Sequence, residues 1–136
     1  ILPVTNEGNV ILTVEPKVFT TRTVGVSVPA GYINPGEYPL HAARRELLEE
    51  TGYEVSDIYE LGSFYQDTGV SGALIEYFLG LNATKTGSTH FDKGEIVKTF
   101  ECTYEEALSL VEMGLIEDIN AVLVLERAKK YMLKRY

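Results

Sequence analysis

Residues Gly31 to Tyr53 read GYINPGEYPLHAARRELLEETGY, and this stretch decides how the rest of the chain is interpreted. Its second half is predicted to be a helix. Pro39 suits a first-turn position, Gly52 suits the residue just past the last turn, and no breaker lies between them. Leu40, Ala43 and Leu47 recur at helical spacing and are expected to form the buried stripe. Glu46 and Glu50 are four residues apart, so both carboxylates leave one face, with Glu49 beside them. Like charges at that spacing repel, so the helix needs compensation. Arg44 and Arg45 could supply it as partners on a solvated face, and a hard cation could supply it instead.

The first half of the stretch is a turn. Gly31, Asn34, Pro35 and Gly36 extend neither neighbour, and such a loop leaves backbone carbonyls outside helix and ladder. Carbonyl and carboxylate oxygens are hard ligands. One loop carbonyl with two or three helix carboxylates makes a partial shell for Mg²⁺ or Mn²⁺, with positions open to water and phosphate oxygens.

The stretch resembles the Nudix box: Gly, five residues, Glu, seven residues, then Arg-Glu-aliphatic-any-Glu-Glu-any-Gly-hydrophobic. Gly31, Glu37, Arg45, Glu46, Leu47, Glu49, Glu50, Gly52 and Tyr53 fill those positions. The resemblance implies hydrolysis of a nucleoside diphosphate linked to another moiety. It further implies that Glu46, Glu49 and Glu50 hold divalent cations, that the Ala30 carbonyl is a further ligand, and that Glu37 and Arg45 form a structural ion pair. Gly31 and Arg22 are candidate substrate contacts, because the group resembled often binds phosphates through an Arg near position 22.

Composition sets bounds around this reading. The 136 residues are 45% hydrophobic, enough for one compact domain with its own core. Twelve Lys plus Arg against 20 Asp plus Glu give a net charge of −8. No basic stripe is available to neutralise a nucleic-acid polymer, although bound cations can still invert the sign locally for a small phosphorylated substrate. The lone Cys102 cannot form an internal disulfide, which points to a reducing cytoplasm. No apolar run suits a membrane span, and no signal-peptide pattern is present. The first residue is Ile rather than Met, which leaves open a trimmed chain or a fragment.

Along the chain, Ile1–Val4 and Val10–Val14 flank Asn6-Glu7-Gly8-Asn9 and predict a hairpin. Val18–Val28 continues in β character, with Val24, Val26 and Val28 on one face. Val55–Gln66 and Ala73–Leu81 are predicted strands around the turn Asp67–Gly72, the second buried on much of both faces. Asn82–Gly94 is expected to be a long loop, followed by a strand over Ile96–Cys102. Thr103 with Glu106 is a capping box that opens a helix to about Met113, where Gly114 ends it. A last helix is expected from about Ile119 to the C-terminus, with Ala121, Leu125, Ala128 and Leu133 as its apolar stripe. One helix midway and two at the end imply a mixed β-sheet between helices, an α/β/α sandwich. The Nudix resemblance implies the same fold and a single Nudix hydrolase domain over 1–136.

Pyrophosphate hydrolysis also needs a base. Glu50 is one candidate, beside the cation. Glu95, in the segment HFDKGEI, is the other, since the subgroup that cleaves ADP-ribose carries a catalytic Glu in the corresponding loop. ADP-ribose or a nucleotide sugar is the leading substrate, because the element PAG and the closing helices resemble the ADP-ribose pyrophosphatase group. Ser27, Thr68, Gly72 and Ala73 depart from that group's pattern. Triphosphate hydrolysis of the sanitising type and a non-catalytic nucleotide sensor therefore stay as alternatives, and a homodimer stays open.

Overall fold

The computed structural model describes residues 1–16, 24–87, 89 and 97–133. Among the described residues, eight strands and three helices run in the order β1 (Leu2–Val4), β2 (Asn9–Pro16), β3 (Val24–Ser27), α1 (Pro39–Thr51), β4 (Tyr53–Glu54), β5 (Asp57–Tyr65), β6 (Leu74–Leu81), β7 (Thr84–Lys85), β8 (Lys98–Thr103), α2 (Tyr104–Glu112) and α3 (Ile119–Met132). The first hairpin forms as expected, with Val4 opposite Val10 and the turn closed by Gly8 N–H to the Thr5 carbonyl.

The main sheet runs β3-β2-β1-β6-β5, with β8 also on β2. Its pairs are antiparallel except β1 with β6, which makes the sheet mixed. Val10 pairs with both Val4 and Cys102, and Thr13 with both Ser27 and Thr99. A strand has two edges, so β8 takes one edge of β2 while β1 and β3 share the other in tandem. The sheet therefore parts between β1 and β3. Chain leaving β3 runs beside that gap, where the Ile1 backbone nitrogen donates to the Pro29 carbonyl at 3.0 Å.

Each face of the sheet has its own core. Leu2, Val10, Leu12 and Leu79 pack with Tyr104, Ala107, Ala121, Val124, Leu125 and Ala128 of α2 and α3. On the opposite face Ile1, Val55, Phe78 and Ala83 pack with Leu47 of α1. The helices thus cover both faces, as the α/β/α reading requires. No described helix is long and apolar enough to cross a membrane.

Several local expectations shift. Leu47 is fully buried, but Leu40 and Ala43 are only half-buried and Ala42 is the residue enclosed beside them. In α3, Val124 joins the stripe and Leu133 stays half-buried at the end. Val24, at the start of edge strand β3, is exposed, whereas Val28, just past the strand's end, is buried. Tyr53–Glu54 leaves the main sheet to pair with Thr84–Lys85, so a strand interrupts the expected loop after Asn82. Thr103 and Glu106 form the predicted capping box. Cys102 is half-buried in β8, and burial pushes its thiol pKa up, which makes it a poor nucleophile.

Gly52 ends α1 for two separate reasons. Its φ of +74° is left-handed, and a Cβ there would come within 2.4 Å of the Gly87 carbonyl oxygen. Thr86 and Gly87 both donate backbone N–H to the Gly52 carbonyl, so this crossing fastens β7 to the end of the helix. Gly52→Ala is expected to cost about 2 kcal/mol or more of stability, from left-handed strain together with backbone displacement. Urea denaturation measures this, with Gly72→Ala, where a Cβ meets nothing within 4 Å, expected to be near neutral.

Candidate active site

The loop from Val28 to Tyr38 and the first three turns of α1 wall one side of a cleft of about 510 Å³. Ala30, Gly31, Tyr32 and Ile33 come from the loop, and Ala42, Ala43 and Glu46 from the helix. Gln66, Leu74, Ile75, Glu76 and Phe78 of the β5–β6 region and Asn120 of α3 complete the cleft's lining.

Arg45 holds loop to helix. Its Nε and Nη2 reach Glu37 Oε2 and Oε1 at 2.8 and 2.9 Å, a two-pronged pairing, and Nη2 also donates to the Tyr32 carbonyl at 2.9 Å. Glu37 is itself fixed, accepting from Asn34 N–H at 3.0 Å, while its own N–H donates to the Asn34 carbonyl at 2.9 Å. Arg44 points elsewhere, donating to the Val55 carbonyl at 2.6 Å. Of the two adjacent arginines, only Arg45 serves the loop.

The same guanidinium meets the acids. Arg45 Nη1 lies 2.8 Å from Glu46 Oε1 and 3.2 Å from Glu49 Oε2. Two carboxylates of one helix face thus converge on a single cationic nitrogen, which offsets the repulsion that their spacing creates. Glu50 turns inward and accepts from Ala30 N–H at 3.1 Å. At 9% exposure it is the only charged side chain buried among the described residues. A buried carboxylate is costly unless it is partnered, and the Ala30 amide is one partner that this one has. Gly31 lies so close to Glu46 that a Cβ would fall 2.0 Å from the Glu46 carboxyl carbon, so only glycine leaves that carboxylate its place.

Among the described residues, no three His, Cys, Asp or Glu side chains are gathered as a ready cation-binding cluster. The partners explain this. Glu46 and Glu49 are taken up by Arg45, while Glu50 faces the Ala30 amide. The candidate donors are nonetheless hard oxygens, the kind a divalent cation takes, and two of them, Glu46 and Glu49, already meet at one positive nitrogen. Arg22 and Glu95 lie outside the described residues. Tyr32, 92% exposed on the cleft, is available for stacking, whereas Phe64 packs with Tyr77 and under Arg127. Sequence reasoning did not single out Glu76, Gln66 or Asn120. They reach the cleft only because β5, β6 and α3 are brought there by non-local pairing.

The sequence profile of the NUDIX domain matches residues 1–129. The chain belongs to that family. Among its relatives, an ADP-ribose pyrophosphatase of Bacillus subtilis is 32% identical over 93% of this chain and 68% of its own length. A methanol dehydrogenase activator of Bacillus methanolicus is 29% identical over the same shares, 93% and 68%. A GDP-mannose pyrophosphatase of Klebsiella pneumoniae is 30% identical over 71% of this chain, which spans half the length of that relative. The crystal structure of an ADP compounds hydrolase superposes with a TM-score of 0.85 at 21% identity, covering 96% of this chain and 69% of that one. That likeness shows that the architecture around the cleft is the Nudix fold.

The Arg45 hydrogen bond and the Asn34 amide hold the Glu37 carboxyl down at about 2. An ordinary Glu titrates near ~4.3. The shift is a depression, so the pair's stabilisation is complete above the ordinary value and is lost as pH falls through about 2. A carboxyl-carbon NMR titration should show Glu37 protonating near that lower value in the wild type and near the ordinary one in Arg45→Ala. An ordinary wild-type midpoint would contradict the two-pronged pairing.

Proposed function

We propose that this Nudix domain, read as one unit over 1–136, hydrolyses the pyrophosphate bond of a nucleoside diphosphate linked to another moiety, with ADP-ribose or a nucleotide sugar as substrate. The observation that carries this is Glu46 lining the cleft beside the Ala30–Gly31 backbone, with Glu49 and buried Glu50 on the same helix and Glu50 held by the Ala30 amide. The names of two relatives, an ADP-ribose pyrophosphatase and a GDP-mannose pyrophosphatase, support the substrate class. Family members generally need a divalent cation, and we assign Mg²⁺, with Mn²⁺ as substitute.

Glu46, Glu49 and Glu50, with the Ala30 carbonyl, would hold it. When bound, the cation supplies charge neutralisation at the phosphate oxygens and lowers the pKa of an attacking water. The chain's own residues do the rest. Gly31 presents backbone close to the diphosphate without a side chain in the way, and Arg22 adds positive charge. The carboxylate of Glu50 or of Glu95 accepts the proton that water loses on attack. Glu37 and Arg45 keep loop and helix in register, so the reacting groups are positioned before substrate arrives. The products are two phosphate-bearing halves. The reading implies a small-nucleotide partner and a cytoplasmic setting.

The test is a panel of ADP-ribose, GDP-mannose, a dinucleoside polyphosphate and dNTPs with Mg²⁺, run on wild type and Glu50→Gln. Cleavage of ADP-ribose or the nucleotide sugar is expected, with a fall of about 10²-fold or more in the variant. Consumption of triphosphates alone would replace the substrate assignment. Near-normal turnover by Glu50→Gln would remove Glu50 from the mechanism.

A further inference from the structure

Among the described residues, Glu76 is the one acid that lines the cleft from the sheet rather than from α1. In β6, Tyr77 and Leu79 belong to the core beneath α2 and α3 while Phe78 packs with Leu47 of α1, so the alternation of a strand puts Glu76 on the α1 side with Phe78. Glu76 and Glu46 therefore line one cleft, one from the sheet and one from the helix. Directly across the ladder, Ser63 of β5 donates its hydroxyl to Glu76 Oε2. That bond fixes the carboxylate's orientation. A carboxylate offers about four lone-pair sites, and Ser63 uses one of them.

We propose that Glu76 is a specificity-determining residue that accepts hydrogen bonds from the hydroxyls of the moiety beyond the diphosphate. This deepens the pyrophosphatase reading and rests on it. If the diphosphate lies beside Glu46, the β6 wall meets the group attached to it. A carboxylate there repels a third phosphate and welcomes a neutral polyol, so one residue both favours a glycosyl or ribosyl end and disfavours a nucleoside triphosphate. Neighbouring groups suit a polyol as well. Asn120, which also lines the cleft, accepts from the Tyr77 hydroxyl at 2.6 Å through Oδ1, so what its amide has left to offer is N–H donors. Gln66 offers both a donor and an acceptor on the same side. Ser63 is a positioning residue in this scheme, acting only through Glu76.

The experiment compares kcat and KM for ADP-ribose and dATP, with Mg²⁺, in wild type, Glu76→Gln, Glu76→Ala and Ser63→Ala. Both Glu76 variants should raise KM for ADP-ribose by about tenfold, the scale of a hydrogen bond to a charged group, while kcat changes little. KM for dATP should fall in the same proteins. Ser63→Ala should shift the ratio of the two substrates in the same direction by a smaller factor, and it keeps the test alive if a Glu76 variant fails to fold. Parallel changes for both substrates, or no change, would overturn the proposal and leave the pyrophosphatase reading standing. A common loss of kcat with KM unchanged would put Glu76 in the chemical step and overturn it equally. Wild-type protein that cleaves neither compound would instead remove the underlying reading, and this proposal with it.

Discussion

The five-donor fork of Arg45 is the interaction on which the site depends. Two of its nitrogens clamp Glu37, one of them also reaches the Tyr32 carbonyl, and the third meets Glu46 and Glu49. A planar guanidinium can satisfy three directions at once, which a lysine ammonium on a flexible stem cannot do with the same geometry. Loop conformation, helix placement and acid orientation are consequently one problem with one solution. The carboxylates raise the Arg45 pKa, so the clamp keeps its charge at any working pH.

Around that clamp the electrostatics are deliberately unbalanced. An acidic protein collects three more acids on one helix, buries one of them, and leaves one arginine to moderate the others. Such an arrangement weakens the isolated helix, and it makes sense where incoming positive charge and a phosphate substrate complete it. Tertiary packing offsets the cost. Leu47 is wholly enclosed, Gly52 locks the helix end against β7, and Arg44 ties its outer face to the Val55 carbonyl.

Local signals in the sequence were enough for the elements that local chemistry determines. Pro39 and Gly52 bound α1 at the predicted places, and Thr103 with Glu106 starts α2. The first hairpin follows from a turn-forming sequence between β-branched runs. What escaped is what depends on distant partners. Nothing in Leu2–Val4 announces parallel pairing with Leu79–Leu81, and nothing in Thr84–Lys85 announces pairing with Tyr53–Glu54. The choice between Arg44 and Arg45 as the loop's partner came from the box pattern, not from charge, because both are equally basic. Glu76 could have been suspected only as an acid between apolar residues in the run LIEYF, a signal too weak without its cleft. Arg22 and Glu95 fall outside the described residues, so their roles rest on the sequence.

The central claim is that the α1 acids take a divalent cation from solution, exchanging the Arg45 contact for it. Electron paramagnetic resonance of Mn²⁺ titrated with the protein measures this without reference to turnover. The account predicts that wild-type protein depletes the free Mn²⁺ signal, and that a Glu46→Gln, Glu49→Gln double variant with unchanged circular dichroism leaves most of that signal in solution. Equal depletion by both proteins, or a wild type that leaves all the Mn²⁺ free, would contradict it.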